Sequence, residues 1–185
     1  MAVSYEVIAN SQAAVGELTF DEVFRAAFAK HFQTIFRYVD RLSGDPDLAA
    51  DVAQEAFIRL YRRGSMPENP ASWLAVVARN LFHNARSKAR RRRRLLAVEH
   101  ARSTMADPNP SPAAALEAER RQVDVRAALD CLPERSREML LLRYEGFSYR
   151  EIAETLGMKE TSVGTLLVRA KEAFQSALKD QGDAP

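Results

Sequence analysis

Apolar residues recur at intervals of three and four along most of the chain, which is the spacing of one buried face of an amphipathic helix. The first such stretch begins at Phe20, with Thr19 or Asp21 available to cap it, and it stops at residues 43–46, where glycine and proline interrupt the pattern. A second stretch runs from about Asp47 to Arg63. Its inward face is predicted to hold Leu48, Val52, Ala56 and Leu60.

A third helix is predicted to begin after Asn69. Asparagine is a favoured N-cap, and the following Pro70 suits the first helical position, where no backbone N–H is needed. This helix continues into an arginine-rich segment. Its buried side is predicted to hold Trp73, Val76, Val77 and Leu81.

The composition changes between residues 97 and 115. Prolines alternate with polar residues over 107–112, and such a segment can form neither a helix nor a paired strand. Beyond it, helices are predicted to start at Pro112 and at Pro133, and the second should end before Gly146. Their predicted buried residues are Leu116, Val123, Ala127 and Leu132 for the first, and Met139, Leu140 and Leu142 for the second.

The predicted fold class is therefore all-α, with two small helical domains joined by a flexible linker. A flexible arm spans residues 1–16, the first domain residues 17–96, the linker residues 97–115 and the second domain residues 116–180. No period-two alternation is long enough to predict a strand.

Residues 148–170 have the pattern of a helix-turn-helix. Ser148 and Glu151 form a capping box sequence, and Gly157 suits the left-handed turn between two crossing helices. Ile152, Ala153 and Leu156 should face inward, and Val163 and Leu166 should pack the second helix onto the first. In such motifs the second helix enters the major groove of DNA. An ordinary helical hairpin without a DNA contact is the alternative interpretation.

Charge adds a second indication of a polyanionic partner. The net charge is only +2, and 46% hydrophobic with 28% charged residues is typical of a soluble globular protein. However, no acidic residue lies between Glu68 and Glu99, a window that contains Arg79, Arg86, Lys88 and the run Arg90 to Arg94. Such segregation favours a helix that binds nucleic acid, with a solvated basic face or a nonspecific RNA-binding tail as alternatives.

Other kinds of chemistry find little support. The three histidines lack metal-ligand spacing, and there is no phosphate-binding glycine loop or nucleophile motif, so we predict no catalytic residues, metal or cofactor. Asp51 and Glu55 lie one helical turn apart, and we interpret them as a partner-facing acidic stripe rather than an acid/base pair. The single Cys131 is expected to be a small core residue, with a redox sensor as the alternative. Without a signal peptide or a long apolar run, a cytoplasmic protein with no membrane segment is expected.

Three segments in order resemble the sigma-70 family, in particular its extracytoplasmic-function (ECF) group, which has only regions two and four. The first is "DVAQEAFIRLYRR", which is similar to the family's polymerase-binding helix. The second is "WLAVVARNLFHNARSKARRRRR", similar to its promoter-melting and minus-ten-reading helix. The third is "LDCLPERSREMLLLRYEGFSYREIAETLG", similar to region four. The resemblance covers about residues 18–179.

This resemblance implies a bacterial sigma factor that binds core RNA polymerase and directs promoter recognition, DNA melting and transcription initiation, as a monomer when free. An anti-sigma protein is a further partner that the resemblance allows. The residues implied in binding core polymerase are Asp51, Gln54, Glu55 and Arg59. Those implied at the minus-ten DNA are Trp73, Arg79, Asn80, His83, Asn84, Arg86, Lys88, Arg91 and Arg92. Those implied at the minus-thirty-five DNA are Lys159, Glu160, Thr161, Ser162, Thr165 and Arg169.

The chain departs from the family pattern in "TSVGTLLVRA", where Thr161 stands for a glycine, Gly164 for a lysine and Leu166 for an arginine. Two phosphate-binding charges are lost there, and Lys159, Arg169 and Lys171 are available to compensate.

Two other functions compete with the sigma-factor hypothesis. A free-standing dimeric helix-turn-helix regulator would need a dimerisation segment, and no heptad pattern is seen. An enzyme acting on nucleic acid would need a catalytic cluster.

Overall fold

The computed structural model describes residues 19–97 and 123–182, and within these two ranges every regular element is a helix. The predicted all-α class is therefore confirmed. The predicted arm, the proline-bearing linker and the helix start at Pro112 lie largely outside the described residues. The helices are α1 (Phe20–Ser43), α2 (Pro46–Arg63), α3 (Pro70–Ala97), α4 (described over 123–130), α5 (Glu134–Tyr144), α6 (Tyr149–Leu156) and α7 (Glu160–Gly182).

Each of the first three helices begins directly after a residue whose side chain accepts a hydrogen bond from a backbone N–H group of the first turn. Thr19 caps α1 in a capping box: its Oγ1 accepts from the Glu22 N–H at 3.3 Å, and Glu22 accepts in turn from the Thr19 N–H at 2.8 Å. The Asp45 carboxylate accepts from two N–H groups in the first turn of α2. The Asn69 side chain accepts from the Ser72 N–H at 3.3 Å at the start of α3.

Helices α1, α2 and α3 pack into the first of two halves around a common core. On α2, the predicted inward residues Val52, Ala56 and Leu60 are buried and Leu48 is packed against them. On α3 the predicted residues are only half-buried, although Trp73, Val77 and Leu81 do pack against the core. The buried apolar positions of α3 are Leu74, Ala75, Ala78 and Phe82. The two alanines allow the α3 backbone to approach its neighbours closely.

Helices α4 to α7 form the second half, and here too some predicted core positions are corrected. Met139, Leu142 and Leu132 are buried as predicted, and Leu140 is half-buried. Val123, however, is 62% exposed and Ala127 is only half-buried, since Ala128 and Leu129 supply the buried face of α4. Cys131 is exposed, because it follows the last turn of α4 and points away from the core. The expectation of a core cysteine is wrong.

The two halves pack against each other and share one hydrophobic cluster. Residues of α1 to α3 and residues of α4 to α7 belong to the same set of mutually contacting buried side chains. Between the halves, α3 packs against α6 and α1 packs against α5. None of the helices in the described ranges is both long enough and apolar enough to span a membrane.

Arg126 of α4 adds a polar contact between the halves at the C-terminal end of α1. Its guanidinium donates to the backbone oxygens of Arg41 at 3.0 Å and Leu42 at 3.4 Å, which have no partner within the helix. Gly44 follows with φ +70°, and a Cβ there would lie 2.6 Å from the guanidinium. The backbone conformation therefore favours glycine at this position, and a larger residue would also displace the Arg126 guanidinium.

Candidate functional site

The predicted polymerase-binding residues share one solvent-facing side of α2. Asp51, Gln54 and Arg59 are exposed, and Glu55 is half-buried. Arg59 Nε donates to Glu55 Oε1 at 2.8 Å across one helical turn. The structure therefore brings the four residues together as an exposed polar face. Arg59 partly neutralises Glu55, and no ion pair of Asp51 is seen within residues 19–97 and 123–182.

The predicted minus-ten residues divide between two sides of α3. Asn80, Asn84, Lys88, Arg91 and Arg92 are exposed. With roughly 100° of rotation per residue, Arg79, His83 and Arg86 fall on a different side of the helix, and this side faces the second half. Half-buried Trp73 lies one turn into α3, with the Arg63 guanidinium 5.9 Å from the centre of its ring.

The contact of Arg79 and His83 with the second half is a charge cluster around Glu138 of α5. Arg79 Nε donates to Glu138 Oε2 at 2.9 Å, and His83 Nε2 lies 2.6 Å from Glu138 Oε1. The Glu138 side chain has no exposed surface, while those of Arg79 and His83 are 30% and 25% exposed. Tyr38 of α1 is buried beside this cluster. Burial raises the pKa of Tyr38, and the Glu138 charge raises it further, so the phenol stays neutral.

Glu138 belongs to an acidic stripe on α5, which we define as Glu134, Glu138 and Glu145. These residues lie four and seven positions apart, which places them on one side of the helix. Glu134 accepts from Arg86 Nη1 at 2.8 Å and lies 3.6 Å from His83 Nδ1.

Glu145, at the end of α5, interacts with α1 of the first half. It accepts from Arg37 Nε at 2.9 Å and pairs with Arg41. Arg41 also lies over the Tyr144 ring, 4.6 Å from its centre. The whole acidic stripe therefore faces the basic side chains of α1 and α3.

The helix-turn-helix consists of α6 and α7, and its turn is built as the sequence predicts. Ser148 and Glu151 form the capping box, with the Ser148 N–H donating to Glu151 Oε2 at 2.8 Å. Gly157 ends α6 with φ +60° in the left-handed region. Arg135 of α5 donates to the Leu156 carbonyl oxygen at 2.9 Å, which satisfies one of the last free carbonyls of α6.

The predicted reading residues lie at the start of α7 on the side away from the core. Lys159, Glu160, Thr161, Thr165 and Arg169 are exposed, and Ser162 is half-buried.

One predicted core residue of α7 is corrected. Val163 packs the helix onto the core as predicted, but Leu166 is 37% exposed and Leu167, at 8%, is the second buried residue. Leu166 and Val168, which is 57% exposed, add apolar surface beside the reading residues.

Sequence reasoning missed the residues of the second half that contact α1 and α3. The acidic stripe, Arg126 and Arg135 were not predicted to have a role. One of these residues, Glu138, could have been found from the sequence segment "REMLLL". A charged residue at a helix position that faces the core needs a partner, and this predicts an ion pair. In the described ranges, no three His, Cys, Asp or Glu side chains are grouped so that they could hold a metal ion.

The described elements thus comprise, in order, a helix with an exposed polar face, a basic helix with exposed asparagines and a helix-turn-helix. Comparison with known families agrees: residues 27–92 match the model described as sigma-70 region 2, and residues 122–174 match sigma-70, region 4. The chain belongs to the sigma-70 family, and its relatives place it in the ECF group.

Two relatives illustrate the similarity. The ECF RNA polymerase sigma factor SigE of Mycolicibacterium smegmatis is 34% identical over 86% of this chain, but the chain spans only 62% of its length. The ECF RNA polymerase sigma factor EcfG of Rhodopseudomonas palustris is 39% identical over 76% of this chain and 77% of its own length. Among solved structures, the sigma factor RpoE in complex with the anti-sigma factor NepR from Bartonella quintana has a similar fold. Its TM-score is 0.63 at 23% identity, with 85% of this chain and 97% of that chain covered.

Proposed function

We propose that this chain is a sigma factor that binds core RNA polymerase and directs it to promoter DNA. The observation that carries the proposal is the order of three surfaces along a chain of this family: the exposed polar face of α2, the basic helix α3 and the reading side of α7. The role is regulatory, and the chemistry of RNA synthesis belongs to the polymerase. The proposed location is the cytoplasm, where a polymerase-bound protein acts.

The core-binding role is assigned to Asp51, Gln54, Glu55 and Arg59. Asp51 carries the argument, because it is exposed and its carboxylate is available to a basic partner surface. Charges at the rim of an interface mainly set orientation and the rate of association. A substitution at Asp51 should therefore alter binding to core polymerase without altering the fold.

The two DNA-binding roles are assigned to residues of α3 and α7. Asn80 and Asn84 of α3 can contact the edges of unpaired minus-ten bases, and Trp73 offers a partly accessible ring on which a base can stack. On α7, Thr161 and Thr165 are short enough to approach base edges in the major groove. The phosphate contacts are assigned to Arg79, Arg86, Lys88, Arg91 and Arg92 on α3 and to Lys159 and Arg169 on α7.

Reconstituted transcription tests the proposal. Purified core polymerase is assayed with and without the chain on a promoter library, and promoter-dependent transcripts are expected only when the chain is present. Asp51→Lys should weaken binding to core polymerase on the order of tenfold, whereas Asp180→Lys, the same charge change near the end of α7, should leave it unchanged. Transcription that does not depend on the chain, or equal affinity of the two variants, would contradict the proposal.

The same preparation separates this function from a dimeric regulator. A sigma factor is expected to have the mass of a monomer in solution and to need polymerase for specific promoter binding. A stable dimer that binds a palindromic duplex without polymerase would favour the regulator. The solved neighbour in complex with NepR also supports an anti-sigma protein as a further proposed partner of this chain.

A further inference from the structure

The first two turns of α7 are unusually poor in the side chains that form paired hydrogen bonds with DNA bases. Residues 161–168 include no charged residue, no asparagine and no glutamine. Arginine and lysine are the usual partners of guanine in the major groove, and asparagine and glutamine those of adenine. The charged residues nearest to this segment stand at its two ends, with Lys159 and Glu160 before it and Arg169 after it. Recognition by residues 161–168 must therefore use hydroxyl and methyl groups.

The side of α7 that turns away from the core carries a row of methyl groups. Val163 and Leu167 are buried, and they fix which side of the helix faces inward. With roughly 100° of rotation per residue, Thr161, Thr165 and Val168 lie on the opposite side, and all three are exposed. Each of the three is β-branched and carries at least one methyl group on its Cβ. We call these three residues the methyl row.

The surface on both flanks of the methyl row is also free of charge. On one flank Gly164 has no side chain, and a Cβ built there would lie 3.5 Å from the ring atom Cε2 of Tyr149 in α6. The Tyr149 side chain is 44% exposed. On the other flank lies the exposed Leu166. The surface is therefore apolar at the two positions where the family pattern has a lysine and an arginine.

We propose that the methyl row recognises thymine through its C5 methyl group, so that this chain selects an upstream duplex element by its A·T pairs. Thymine is the base that presents a methyl group in the major groove, and threonine methyl groups are suited to contact it. The row spans seven positions of α7, about 10 Å, which is about the rise of three base-pair steps. The recognised thymines are therefore expected within about four consecutive base pairs.

This inference rests on the proposed function, because it takes α7 to be the reading helix, and it adds the chemistry by which that helix distinguishes bases. Lys159 and Arg169 are exposed at the two ends of the row. Contacts of such residues with phosphates position a protein on the duplex but carry no sequence information. The discrimination is then left to the row itself, where the hydroxyl groups of Thr161 and Thr165 are the rival to its methyl groups.

The experiment uses the holoenzyme formed from core polymerase and the full-length chain. A duplex promoter library randomised over the minus-thirty-five region is selected by binding to the holoenzyme. The enriched element is then synthesised with each thymine replaced in turn by uracil, and the affinity of each duplex is measured by competition. Uracil lacks only the C5 methyl group, so the replacement leaves every hydrogen-bonding group of the base in place.

The unaltered chain should lose affinity roughly two- to fourfold for each recognised thymine that becomes uracil, at two or more positions of the element. Val168→Ala removes two methyl groups and should abolish this loss at one of these positions. The matched control is Val123→Ala, the same change at a valine of α4 that is 62% exposed, and it should keep the full loss. If the row contacts a protein instead, Val168→Ala weakens binding equally on thymine and uracil duplexes, and this result overturns the proposal.

Thr165 separates recognition by a methyl group from recognition by a hydroxyl group. Thr165→Val keeps a methyl and removes the hydroxyl, so it should keep the sensitivity to uracil, whereas Thr165→Ser should lose it. The position is exposed, so neither change should affect folding. The reverse order of the two variants, or an element that tolerates uracil at every thymine, overturns the proposal.

Transcription from the selected promoters distinguishes failure of this inference from failure of the function on which it rests. If transcripts depend on the chain but no upstream element is enriched, or the element is insensitive to uracil, the sigma-factor function stands and recognition by the methyl row is wrong. If no transcript depends on the chain and no element is enriched, both are wrong. Chain-dependent transcripts that weaken with the same uracil replacements support both.

Discussion

The pair formed by Arg79 and Glu138 gives the sharpest quantitative test of the packing between the two halves. A double-mutant cycle of Arg79→Gln, Glu138→Gln and the combined variant isolates the energy of this pair in the free energy of unfolding. The two residues are 59 positions apart, so their coupling cannot arise within one helix.

The magnitude follows from burial. Removing one partner of a fully buried ion pair costs about 3–5 kcal/mol, because a charge is left without compensation. Here Glu138 is fully buried but Arg79 is 30% exposed and can be partly solvated, so Glu138→Gln should cost less, about 1–3 kcal/mol. Arg79→Gln should cost at least as much, because it leaves the fully buried Glu138 carboxylate with His83 as its remaining partner in this cluster. We expect a coupling energy of about 1–2 kcal/mol for the pair.

The matched control is the pair of Glu55 and Arg59 on α2. Its side chains are 37% and 50% exposed and lie one helical turn apart, so its coupling should be only about 0.3–0.5 kcal/mol. Urea unfolding followed by circular dichroism measures both cycles, provided that each variant unfolds in a single transition. A coupling between Arg79 and Glu138 no larger than that of the control would show that the contact between α3 and α5 does not form in solution.

Two further predictions test local packing by the same unfolding measurement. Gly44→Ala should lower stability by about 1 kcal/mol or more, since it forces a side chain onto a positive φ and into a guanidinium. Gly64→Ala has a similar φ but open space, so an equal or larger loss there would refute the role of the close approach. Leu167→Ala should cost about 2–4 kcal/mol and Leu166→Ala less than about 1 kcal/mol, and the reverse order would contradict the orientation of α7.

The starts of the helices were predictable because they depend on neighbours in sequence. The caps at Thr19, Asn69 and Ser148 each act on backbone groups within three residues, so the residue type at one position is enough to indicate the boundary. The turn at Gly157 belongs to the same class, since its conformation is a property of the residue itself. These helix starts and this turn could therefore be predicted from residues within three positions of each boundary.

The side of each helix that faces the core was harder to predict where two neighbouring positions are both apolar. On α7, Leu166 and Leu167 are chemically identical, and only the packing of α7 on the rest of the second half selects the second. On α3, the small Ala75 and Ala78 are buried because they admit a neighbouring backbone, while the larger Trp73 is left at the margin. Hydrophobicity alone favours the larger residue, so it predicts residues at the edge of the core and misses the most buried positions.

The candidate site was predictable as a list of residues but not as an arrangement. Arg79, His83 and Arg86 have the residue types expected of nucleic-acid contacts, and nothing in their spacing reveals that they pair with carboxylates of α5. Their partners Glu134 and Glu138 lie 48 to 59 positions away in sequence. Pairings at such a separation depend on how the two halves meet, which no local pattern records.

The exposure of α2 in this arrangement has a consequence for the order of assembly. Asp51 and its neighbours are accessible while Arg79 and His83 of α3 are paired with Glu138, so under the proposed function this arrangement can already dock on polymerase. Recruitment would then precede DNA engagement, and a chain without polymerase would leave promoters unoccupied. Polymerase availability, rather than the abundance of this protein alone, would set how many promoters are engaged.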